Sequence, residues 1–504
     1  MRKKEVRYMR VEVRRKRSPS VFLVPVALLV VVGIVVAFFL SGKLDEIFKN
    51  GEISCGEGVS LAICQTEEKF KTDYEIVSER STDKGELVHE VYVPTTDFYS
   101  EKQALTQAEF LNLDKGSSTE VELTKLSELS ADKKMLGVEN KYYLDDFTNG
   151  AYFENYVVKG GEKADETEIA NIRGKIKGEI AEMPGSGSVL TINQTGVTAL
   201  SREMQSYMNR MGVSGEFFAE KVKTFLSSTD ITHISNEVSF ASDCTTNSAT
   251  VVLCSPWEMY DAVTVIGTDV VELTGNHNND WGKEANVETI EKYRADGMKV
   301  FGGGENEKQA VKPLDISEKG TEIEWIGVNY STSTKENGQG ADGENPGANI
   351  YDEAETRAQI TDAKAAGKFV IVDIQFSECY SYPEMGAEMP SCDAPIAGQV
   401  AFFRGMIEMG ADMVVGTQAH QPQTYEIYQG KPIYYGLGNL FFDQISWPGT
   451  TRSIILTHYF YKGKLLQTKL SPTQYGSDFQ TEIMTQEETE KFLRRLLESS
   501  PEGK

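Results

Sequence analysis

Apolar and polar positions change their spacing several times along the chain, and these changes predict its elements. From residue 189 onward, short β-type runs alternate with stretches whose apolar residues recur at helical spacing. The β-type runs include 189–192, 231–234, 369–374 and 413–415, and the helical stretches include 353–366 and 398–409. Strands that alternate with helices of about 10–15 residues are typical of βαβ units. We therefore expect a largely parallel α/β core, with antiparallel edge strands after residue 433.

A different pattern occurs near the N-terminus, where residues 21–40 form an uncharged, strongly apolar run. A helix needs about 20 such residues to cross a bilayer, and residues 1–20 form a basic arm in front of it. Because basic residues stay in the cytoplasm, we predict a single transmembrane helix at 21–40 with the main domains outside the cell membrane. The alternative is a cleaved signal peptide, which usually has a shorter apolar region and a small-x-small site. The sequence Ala37-Phe38-Phe39 fits that site poorly.

Residues 43–184 are polar and interrupted, with short β-type runs among acidic helical stretches. We predict a smaller α+β, membrane-proximal domain here, whose simplest role is that of a spacer or docking module. The sequence M-P-G-S-G-S at 183–188 has the composition of a linker. The main domain is predicted at 189–475, and a charged helical tail at 486–504.

The 504 residues carry a net charge of −25, although the first residues are basic. The remainder of the chain is therefore more acidic than the total suggests. This charge excludes nucleic acid as a partner of the main domains, because a nucleic-acid surface is itself strongly negative.

The six cysteines lie in the part predicted to be outside the membrane, which favours disulfide bonds. Six cysteines allow fifteen connectivities. We predict the nearest-neighbour pairs Cys55–Cys64, Cys244–Cys254 and Cys379–Cys392. A zinc site is less favoured, because the sequence contains no C-x-x-C motif.

The chemistry of the chain is concentrated first at residues 271–282, which read V-E-L-T-G-N-H-N-N-D-W-G. An apolar strand leads through Gly275 into a loop that carries Asn276, His277 and Asp280. Open α/β sheets bind their ligands at the carboxyl ends of strands, where this loop lies. The alternative is that these residues only form a turn, with His277 as a hydrogen-bonded capping residue.

A second strand-to-loop transition follows at residues 410–444, which read G-A-D-M-V-V-G-T-Q-A-H-Q-P-Q-T-Y-E-I-Y-Q-G-K-P-I-Y-Y-G-L-G-N-L-F-F-D-Q. Here an apolar strand leads through Gly416 into a polar loop with Gln418 and His420. The chain has only five histidines. The usual composition of turns does not explain why two of these five histidines lie in such loops.

These two stretches, in this order and with K-P-I-Y-Y-G-L-G-N-L-F-F-D at 431–443, resemble the poly-γ-glutamate capsule synthesis (CapA-type) family. That family is similar to calcineurin-like metallophosphoesterases, and the resemblance covers roughly residues 189–471. It implies a four-layer α/β sandwich with the site at the strand ends. It also implies a role in the synthesis, export or attachment of an anionic cell-surface polymer such as poly-γ-glutamate. Together with the apolar run at 21–40, this predicts a membrane-anchored, extracytoplasmic protein. The membrane and the polymer or its synthesis machinery are then the expected partners.

The resemblance also implies a metal-binding site, but this chain keeps only part of the ligand set. The matching positions that keep a suitable donor are Glu237, Asn276, His277 and His420. The positions that depart are Val197 in place of an Asp, and Gln375 and Gln418 in place of His. A two-metal hydrolase needs carboxylate and imidazole donors to hold its cations, and a valine side chain donates nothing. Glutamine is a weaker ligand for transition metals than imidazole.

Two interpretations of the site remain open from the sequence. One divalent metal ion can be held by the remaining ligands, or the amide side chains can form a metal-free pocket that binds amides or carboxylates. The predicted metal ligands are Glu237, Asn276, His277 and His420. The predicted catalytic residues are His277, His420 and Asp280. The predicted substrate-binding residues are Gln375, Glu378, Gln418, Asn439 and Arg202.

The function has corresponding alternatives. The chain is either a participant in polymer assembly, a non-catalytic binding or scaffold protein with a degenerate metallophosphoesterase site, or an active metal-dependent phosphoesterase of unknown substrate. The sequence leaves open whether it is an enzyme. Asp373, Glu378 and Asp443 are further candidates for acid–base carboxylates, although isolated acidic residues are more often solvated or capping.

Overall fold

The computed structural model describes residues 51–113, 118, 120–139, 141–162, 164–245, 251–379, 392–447 and 449–501. The basic arm at 1–20 and the transmembrane helix at 21–40 lie outside these residues and stay predictions. Within the described ranges, no helix combines the length and the apolar character needed to cross a bilayer.

The first part of the described chain forms short strands and helices. Its strands are β1 Ile53–Cys55, β2 Tyr74–Ser81, β3 Val88–Asp97, β4 Ala104–Leu105, β5 Glu122–Lys125, β6 Lys133–Met135, β7 Gly137–Val138 and β8 Tyr152–Gly160. Its α-helices are α1 Gln107–Leu113, α2 Tyr143–Asp146 and α3 Glu166–Glu179.

The middle part contains the first of the two strand-to-loop transitions. Its strands are β9 Val189–Thr198, β10 Ile231–Asn236, β11 Phe240–Ala241, β12 Ser255–Pro256, β13 Thr268–Glu272, β14 Lys299–Phe301, β15 Gly303–Gly304, β16 Leu314–Glu318, β17 Thr321–Asn329 and β18 Gly347–Ala348. Its α-helices are α4 Glu203–Met211, α5 Glu216–Ala219, α6 Lys223–Leu226, α7 Asp261–Thr264, α8 Lys283–Ala295, α9 Glu307–Ala310 and α10 Thr332–Glu336.

The last part contains the second transition. Its α-helices are α11 Glu353–Ala365, α12 Gln399–Met409 and α13 Gln486–Leu497. Its strands are β19 Phe369–Gln375, β20 Met413–Thr417, β21 Pro422–Tyr428, β22 Lys431–Leu437, β23 Asn439–Phe441, β24 Arg452–Tyr461, β25 Lys464–Gln474 and β26 Glu482–Ile483.

The chain divides into two compact units. The smaller unit combines the described residues up to Glu79 with Asn155–Ala181, and the larger combines Arg80–Glu154 with the residues from Glu182 onward. In the smaller unit β1 pairs parallel with β2, and α3 buries one apolar face. Part of the segment predicted as the membrane-proximal domain is thus grouped with the larger unit, and the predicted domain division at 43–184 and 189–475 stays a prediction.

From residue 189 onward, the larger unit contains two large sheets. One has the strand order β14-β13-β10-β9-β24-β25-β26, and the other has the order β16-β17-β19-β20-β22-β21. Strands β14, β13, β10 and β9 are parallel, and so are β17, β19, β20 and β22. The prediction of antiparallel edge strands after residue 433 is correct in direction for β24 and β25, but β26, not these two strands, forms the edge of the sheet. It is wrong for β22, because the β21–β22 hairpin turns that strand back beside β20.

The two sheets face each other across a shared apolar core, with helices on their outer faces. Ile192 and Val270 of the first sheet meet Trp325, Ile371 and Val415 of the second in one buried cluster. Helices α4 to α8 cover the outer face of the first sheet. Helices α11 and α12 cover the outer face of the second. The predicted mixed α/β class is confirmed, and the layers follow the order helix, sheet, sheet, helix.

The predicted tail at 486–504 is helical over Gln486–Leu497, where α13 begins with a capping box between Thr485 and Glu488. The charges of this helix occupy one side only. Phe492, Leu493 and Leu496 on the other side join the core between the sheets. Residues 502–504 lie outside the described part.

The predicted cysteine pairing is confirmed for each pair. Bonds join Cys55 to Cys64, Cys244 to Cys254 and Cys379 to Cys392, with Cα–Cα distances of 5.9, 5.8 and 5.6 Å. Each bond closes a short segment of the chain, and the second and third segments begin after strands that lead to the site described below.

The core between the sheets also contains hydrogen-bonded polar residues. His458 on β24 is fully buried, with Nδ1 2.9 Å from Thr468 Oγ1 and Nε2 3.1 Å from Gln194 Oε1. Burial, followed by the charge of His233, lowers the pKa of His458 to about 3. His458 is therefore neutral in the folded protein at physiological pH.

We expect this histidine to make folding stability depend on pH. Its folded-state pKa is depressed from 6.5 to about 3, so its stabilising contribution is present above pH 6.5 and is lost as the pH falls towards 3. The free energy of unfolding should fall by up to about 1.4 kcal/mol per pH unit more in the wild type than in a His458→Gln variant. Urea unfolding between pH 7 and pH 4 measures both slopes. Equal slopes would contradict the prediction.

Candidate functional site

The candidate site lies where parallel strands of both sheets end. In the second sheet the last residues of β17, β19 and β20 are in register, with Gln375 beside Asn329 and Thr417. In the first sheet, β10 is followed directly by Glu237, and β13 is followed by the loop with Asn276 and His277. Hydrogen bonds between the two groups show that these carboxyl ends meet at one edge.

Three amide side chains form the centre of the site, and we call Asn276, Gln375 and Gln418 the amide cluster. Gln375 Nε2 donates to Asn276 Oδ1 at 2.9 Å and also to Gln418 Oε1. Gln418 Nε2 donates to Asn276 Oδ1 at 3.1 Å. Below the cluster, Asn329 Nδ2 donates to Gln375 Oε1 at 3.3 Å. The two glutamines that replace histidines are therefore held by each other and by an asparagine.

Two carboxylates adjoin the amide cluster. Glu237 is buried, and its Oε1 accepts from Gln375 Nε2 at 3.4 Å. Its other oxygen, Oε2, has no hydrogen-bond partner within the described residues. Glu378 is exposed, and its Oε1 accepts from Gln418 Nε2 at 3.4 Å. Gly275 permits this arrangement, because a Cβ there would lie 2.8 Å from the Cα of Glu237.

His277 is paired with Asp280 at the rim of the site. Its Nδ1 lies 2.6 Å from Asp280 Oδ2. Asp280 also accepts from the backbone N–H of Leu253 at 2.9 Å and from Gln339 Nε2 at 2.7 Å. Burial lowers the pKa of His277, but the hydrogen bond with Asp280 and the charge of Glu237 outweigh it, so the pKa is raised overall. The predicted catalytic Asp280 thus orients the histidine.

His420 is held in one orientation by Asn439. Asn439 Nδ2 donates to Gln444 Oε1 at 3.2 Å and to the carbonyl of Thr450 at 3.1 Å, which turns its Oδ1 towards His420 Nδ1 at 3.0 Å. Because an amide oxygen only accepts, Nδ1 carries the proton in neutral His420 and Nε2 is the acceptor nitrogen. Asn439, predicted to bind substrate, is fully buried and positions His420.

Arg202 forms an ion pair with Asp443. Its Nε donates to Asp443 Oδ2 at 3.1 Å, and its Nη2 donates to Oδ1. The side chains are 15% and 3% exposed, respectively. The Arg202 guanidinium also lies 5.1 Å from the centre of the Phe442 ring, which His420 contacts as well. The charge of Arg202 is thus balanced inside the protein, and its predicted contact with substrate stays a prediction.

The residues do not fit a two-metal centre. Val197 is buried in an apolar cluster with Ala199, Val238 and Phe442, so the position of the missing carboxylate is filled by hydrocarbon. Both glutamines are engaged in the amide cluster. In the described part of the chain, the imidazoles and carboxylates of the site do not form a group of three donors within 4.8 Å of one another. A single metal ion held by Glu237, Asn276, His277 and His420 stays a prediction.

Sequence reasoning missed Asn329 and Gln339, which hold Gln375 and Asp280. Neither lies in a motif, and Gln339 comes from a loop 59 residues after Asp280. Asp373, named as a possible acid–base carboxylate, is instead buried between the sheets near His233 and Glu272. Alternation of inward-facing positions along β10, β13 and β19 is the signal that could have found those three residues together.

Comparison with known proteins gives one family. Residues 191–444 match the family model described as "Bacterial capsule synthesis protein PGA_cap". The chain is 25% identical over 278 residues to the "Capsule biosynthesis protein CapA" of Bacillus anthracis, covering 54% of this chain and 64% of that protein. It is 25% identical over 204 residues to the "PGA biosynthesis protein CapA" of Bacillus subtilis strain 168, covering 40% and 50%. The chain thus spans between half and two thirds of the length of these relatives.

Solved structures give weaker similarity. The structure of Haemophilus influenzae NAD nucleotidase has a TM-score of 0.34 and 13% identity, and the match covers 62% of this chain and 63% of that one. A Thermus thermophilus protein, TT1561, has a TM-score of 0.29 and 9% identity, and the match covers 56% and 99%.

The ion pair of Arg202 with Asp443 should stabilise the fold around the site. Arg202→Ala leaves the Asp443 carboxylate buried without its cation, and we expect a loss of about 3 kcal/mol in the free energy of unfolding. The double variant Arg202→Ala/Asp443→Ala should lose less than the single one. Lys292→Ala, which breaks the exposed pair with Asp296, is the control and should cost under about 1 kcal/mol. Urea denaturation gives the free energy of unfolding of the wild type and the three variants. Equal losses for Arg202→Ala and Lys292→Ala would contradict the prediction.

Proposed function

This chain belongs to the bacterial capsule synthesis protein PGA_cap family, and we propose that it takes part in the synthesis, export or attachment of an anionic cell-surface polymer such as poly-γ-glutamate. The family match and the names of the two Bacillus relatives support this proposal. The matched range, residues 191–444, contains the loops that meet at the candidate site.

We further propose that the protein is anchored in the cell membrane by residues 21–40, with its N-terminus in the cytoplasm. The uncharged apolar run and the preceding basic arm support this orientation. The three disulfide bonds support an oxidising location for the rest of the chain.

The amide cluster is the observation on which the proposed binding activity rests. A polymer joined by amide bonds presents a carbonyl acceptor and an N–H donor at every linkage. Glutamine and asparagine side chains offer the same pair of groups, so Gln375 and Gln418 can exchange their hydrogen bonds within the amide cluster for bonds to such a linkage. Because the residues do not fit a two-metal centre, we propose that this site binds the polymer and that its chemistry is non-hydrolytic.

Electrostatics oppose this binding at long range. The chain has a net charge of −25, and an anionic polymer is repelled by it. Repulsion between exposed charges is screened over about 8 Å at physiological salt, whereas hydrogen bonds in the partly buried amide cluster are much less affected. We therefore expect polymer binding to become stronger as salt rises from about 10 mM to about 150 mM.

Binding of poly-γ-glutamate to the full chain tests the proposed site. A Gln375→Ala/Gln418→Ala variant loses donors and acceptors worth about 1.5 kcal/mol or more, which corresponds to at least a tenfold weaker affinity. The matched control is Gln486→Ala, which removes an exposed glutamine at the start of α13. Isothermal titration calorimetry at about 150 mM salt gives all three affinities. Equal binding by the double variant and the wild type would refute the proposal, and loss in the control alone would place the polymer elsewhere.

Two observations favour a second candidate, a phosphoesterase that uses a single metal ion. Glu237 Oε2 has no protein partner in the described part, and His420 is oriented with Nε2 as its acceptor nitrogen. Together with Asn276 and His277, these residues would hold the ion. Bound there, it would act as a Lewis acid towards a phosphate oxygen. His277 and Asp280 would then form an oriented pair beside the substrate.

Metal analysis separates the two candidates. If this site holds a metal ion, a His277→Ala/His420→Ala variant should contain about one ion fewer per chain than the wild type and should lose any phosphoesterase activity. If the site is metal-free, the variant and the wild type should have equal metal content. Inductively coupled plasma mass spectrometry on protein purified without chelator measures this difference, and His89→Ala, in a segment remote in sequence from both loops, is the control.

A further inference from the structure

A second polar assembly lies between the two sheets, out of contact with solvent. His233 on β10, Glu272 at the end of β13 and Asp373 on β19 each offer one donor atom, and these atoms lie within 4.8 Å of one another. The three residues, which we call the buried triad, are 1%, 0% and 1% exposed. None of them belongs to the candidate site or to the ligand set implied by the sequence motifs.

Each member of the buried triad has at least one polar atom without a hydrogen bond. Within the described residues, both ring nitrogens of His233, Oε2 of Glu272 and Oδ2 of Asp373 have no hydrogen-bond partner. His233 Nε2 lies 3.2 Å from Asp373 Oδ2. Buried polar groups are nearly always hydrogen-bonded. Because His233 Nε2 and Asp373 Oδ2 face each other, the atoms that indicate a missing partner are His233 Nδ1 and Glu272 Oε2.

The other oxygen of each carboxylate is held in place. Gln194 Nε2 donates to Asp373 Oδ1 at 2.8 Å, and Thr274 Oγ1 donates to Glu272 Oε1. The ring of His233 packs against Trp325 and Phe301, with ring centres 5.6 and 5.8 Å apart. The triad is thus oriented by its neighbours.

The triad places two carboxylates beside one imidazole, out of contact with solvent. Burial, followed by the negative charge of Asp373, raises the pKa of Glu272 to about 7, which shows how unfavourable two buried carboxylates are side by side. Buried charges are stable when they are paired or when they coordinate a metal. A divalent cation neutralises both carboxylates and leaves the imidazole neutral, as a metal ligand must be.

We propose that the buried triad binds one divalent transition-metal ion between the two sheets. One imidazole nitrogen and two carboxylate oxygens suit zinc or manganese. Because the site has no exposure to solvent, the ion enters during folding and stays until the protein unfolds. Its role is structural, since it connects β10 and β13 of the first sheet to β19 of the second.

The buried triad also supports the amide cluster from below. Thr274, which donates to Glu272, accepts from Asn329 Nδ2 at 2.8 Å through its carbonyl oxygen. Asn329 Nδ2 also donates to Gln375 Oε1 at 3.3 Å. A metal ion bound to the buried triad would therefore hold Thr274 and Asn329 in place, and Asn329 in turn holds Gln375.

Metal analysis combined with refolding of the full chain tests this proposal. Protein purified without added metal or chelator should contain about one zinc or manganese ion that native dialysis against EDTA does not remove. Unfolding in guanidinium chloride with EDTA, with the disulfide bonds kept oxidised, should release it. Refolding with zinc or manganese should restore the original thermal midpoint, and refolding without metal should give a lower one. X-ray absorption of the bound metal should show nitrogen and oxygen ligands without sulfur.

Near-isosteric variants locate the ion. Glu272→Gln and Asp373→Asn should each lower the metal content at least tenfold, whereas Glu426→Gln, which changes a fully buried glutamate paired with Arg404, should keep it. The His277→Ala/His420→Ala variant should also keep it, so a failure of this proposal is distinct from a failure at the candidate site. Wild-type protein that folds without metal and refolds to the same thermal midpoint with and without zinc or manganese would overturn the proposal. So would metal that disappears only in the histidine double variant.

Discussion

The packing of the two sheets against each other places the buried triad and Gln375 of the amide cluster. Side chains alternate between the two faces of a strand, so residues two apart point the same way. Along β19, Val370, Val372 and Ile374 face α11 and α12. The positions between them face the other sheet, beginning with Ile371 in the shared core. Asp373 and Gln375 continue that inner face in steps of two.

The same progression occurs on the strands opposite. On β10, Ile231 joins the core between the sheets and His233 follows on the same face. On β13, Val270 joins that core and Glu272 follows. The inner faces therefore change from hydrocarbon, through the buried triad, to the amide cluster as the strands approach their carboxyl ends. A one-residue slip of β10, β13 or β19 in its pairing register within its sheet would turn that strand's polar side chains to the outer face.

Much of this arrangement could be predicted from the sequence, because the relevant signals are local. The loop after Gly275 is predicted from an apolar run that ends in turn residues, and the close approach to Glu237 explains why glycine stands there. The disulfide pairs follow from short separations along the chain. Helices α11 and α12 lie within one residue of the ranges predicted from apolar spacing.

What could not be predicted depends on residues far apart in the chain. Arg202 and Asp443 are separated by 241 residues, and no pattern near either one indicates the pair. The continuous apolar run of β19 is typical of a strand buried on both faces, but it does not show which face meets the other sheet. In the sequence, Asp373 is therefore an isolated carboxylate. Only the fold places it opposite β10 and β13.

The backbone conformation at the site indicates that its geometry serves a function, although Val197, Gln375 and Gln418 replace the family's metal ligands. Gln418, His420 and Arg202 have φ angles of 78°, 56° and 50°, in the left-handed region that favours glycine. Each such residue costs about 1–3 kcal/mol, and residues of this kind persist where the surroundings hold them and cluster at binding and active sites. A glycine at any of these positions would remove that cost but also the side chain. The strained backbone is therefore kept because these positions need their side chains, which are the amide of Gln418, the imidazole of His420 and the guanidinium of Arg202.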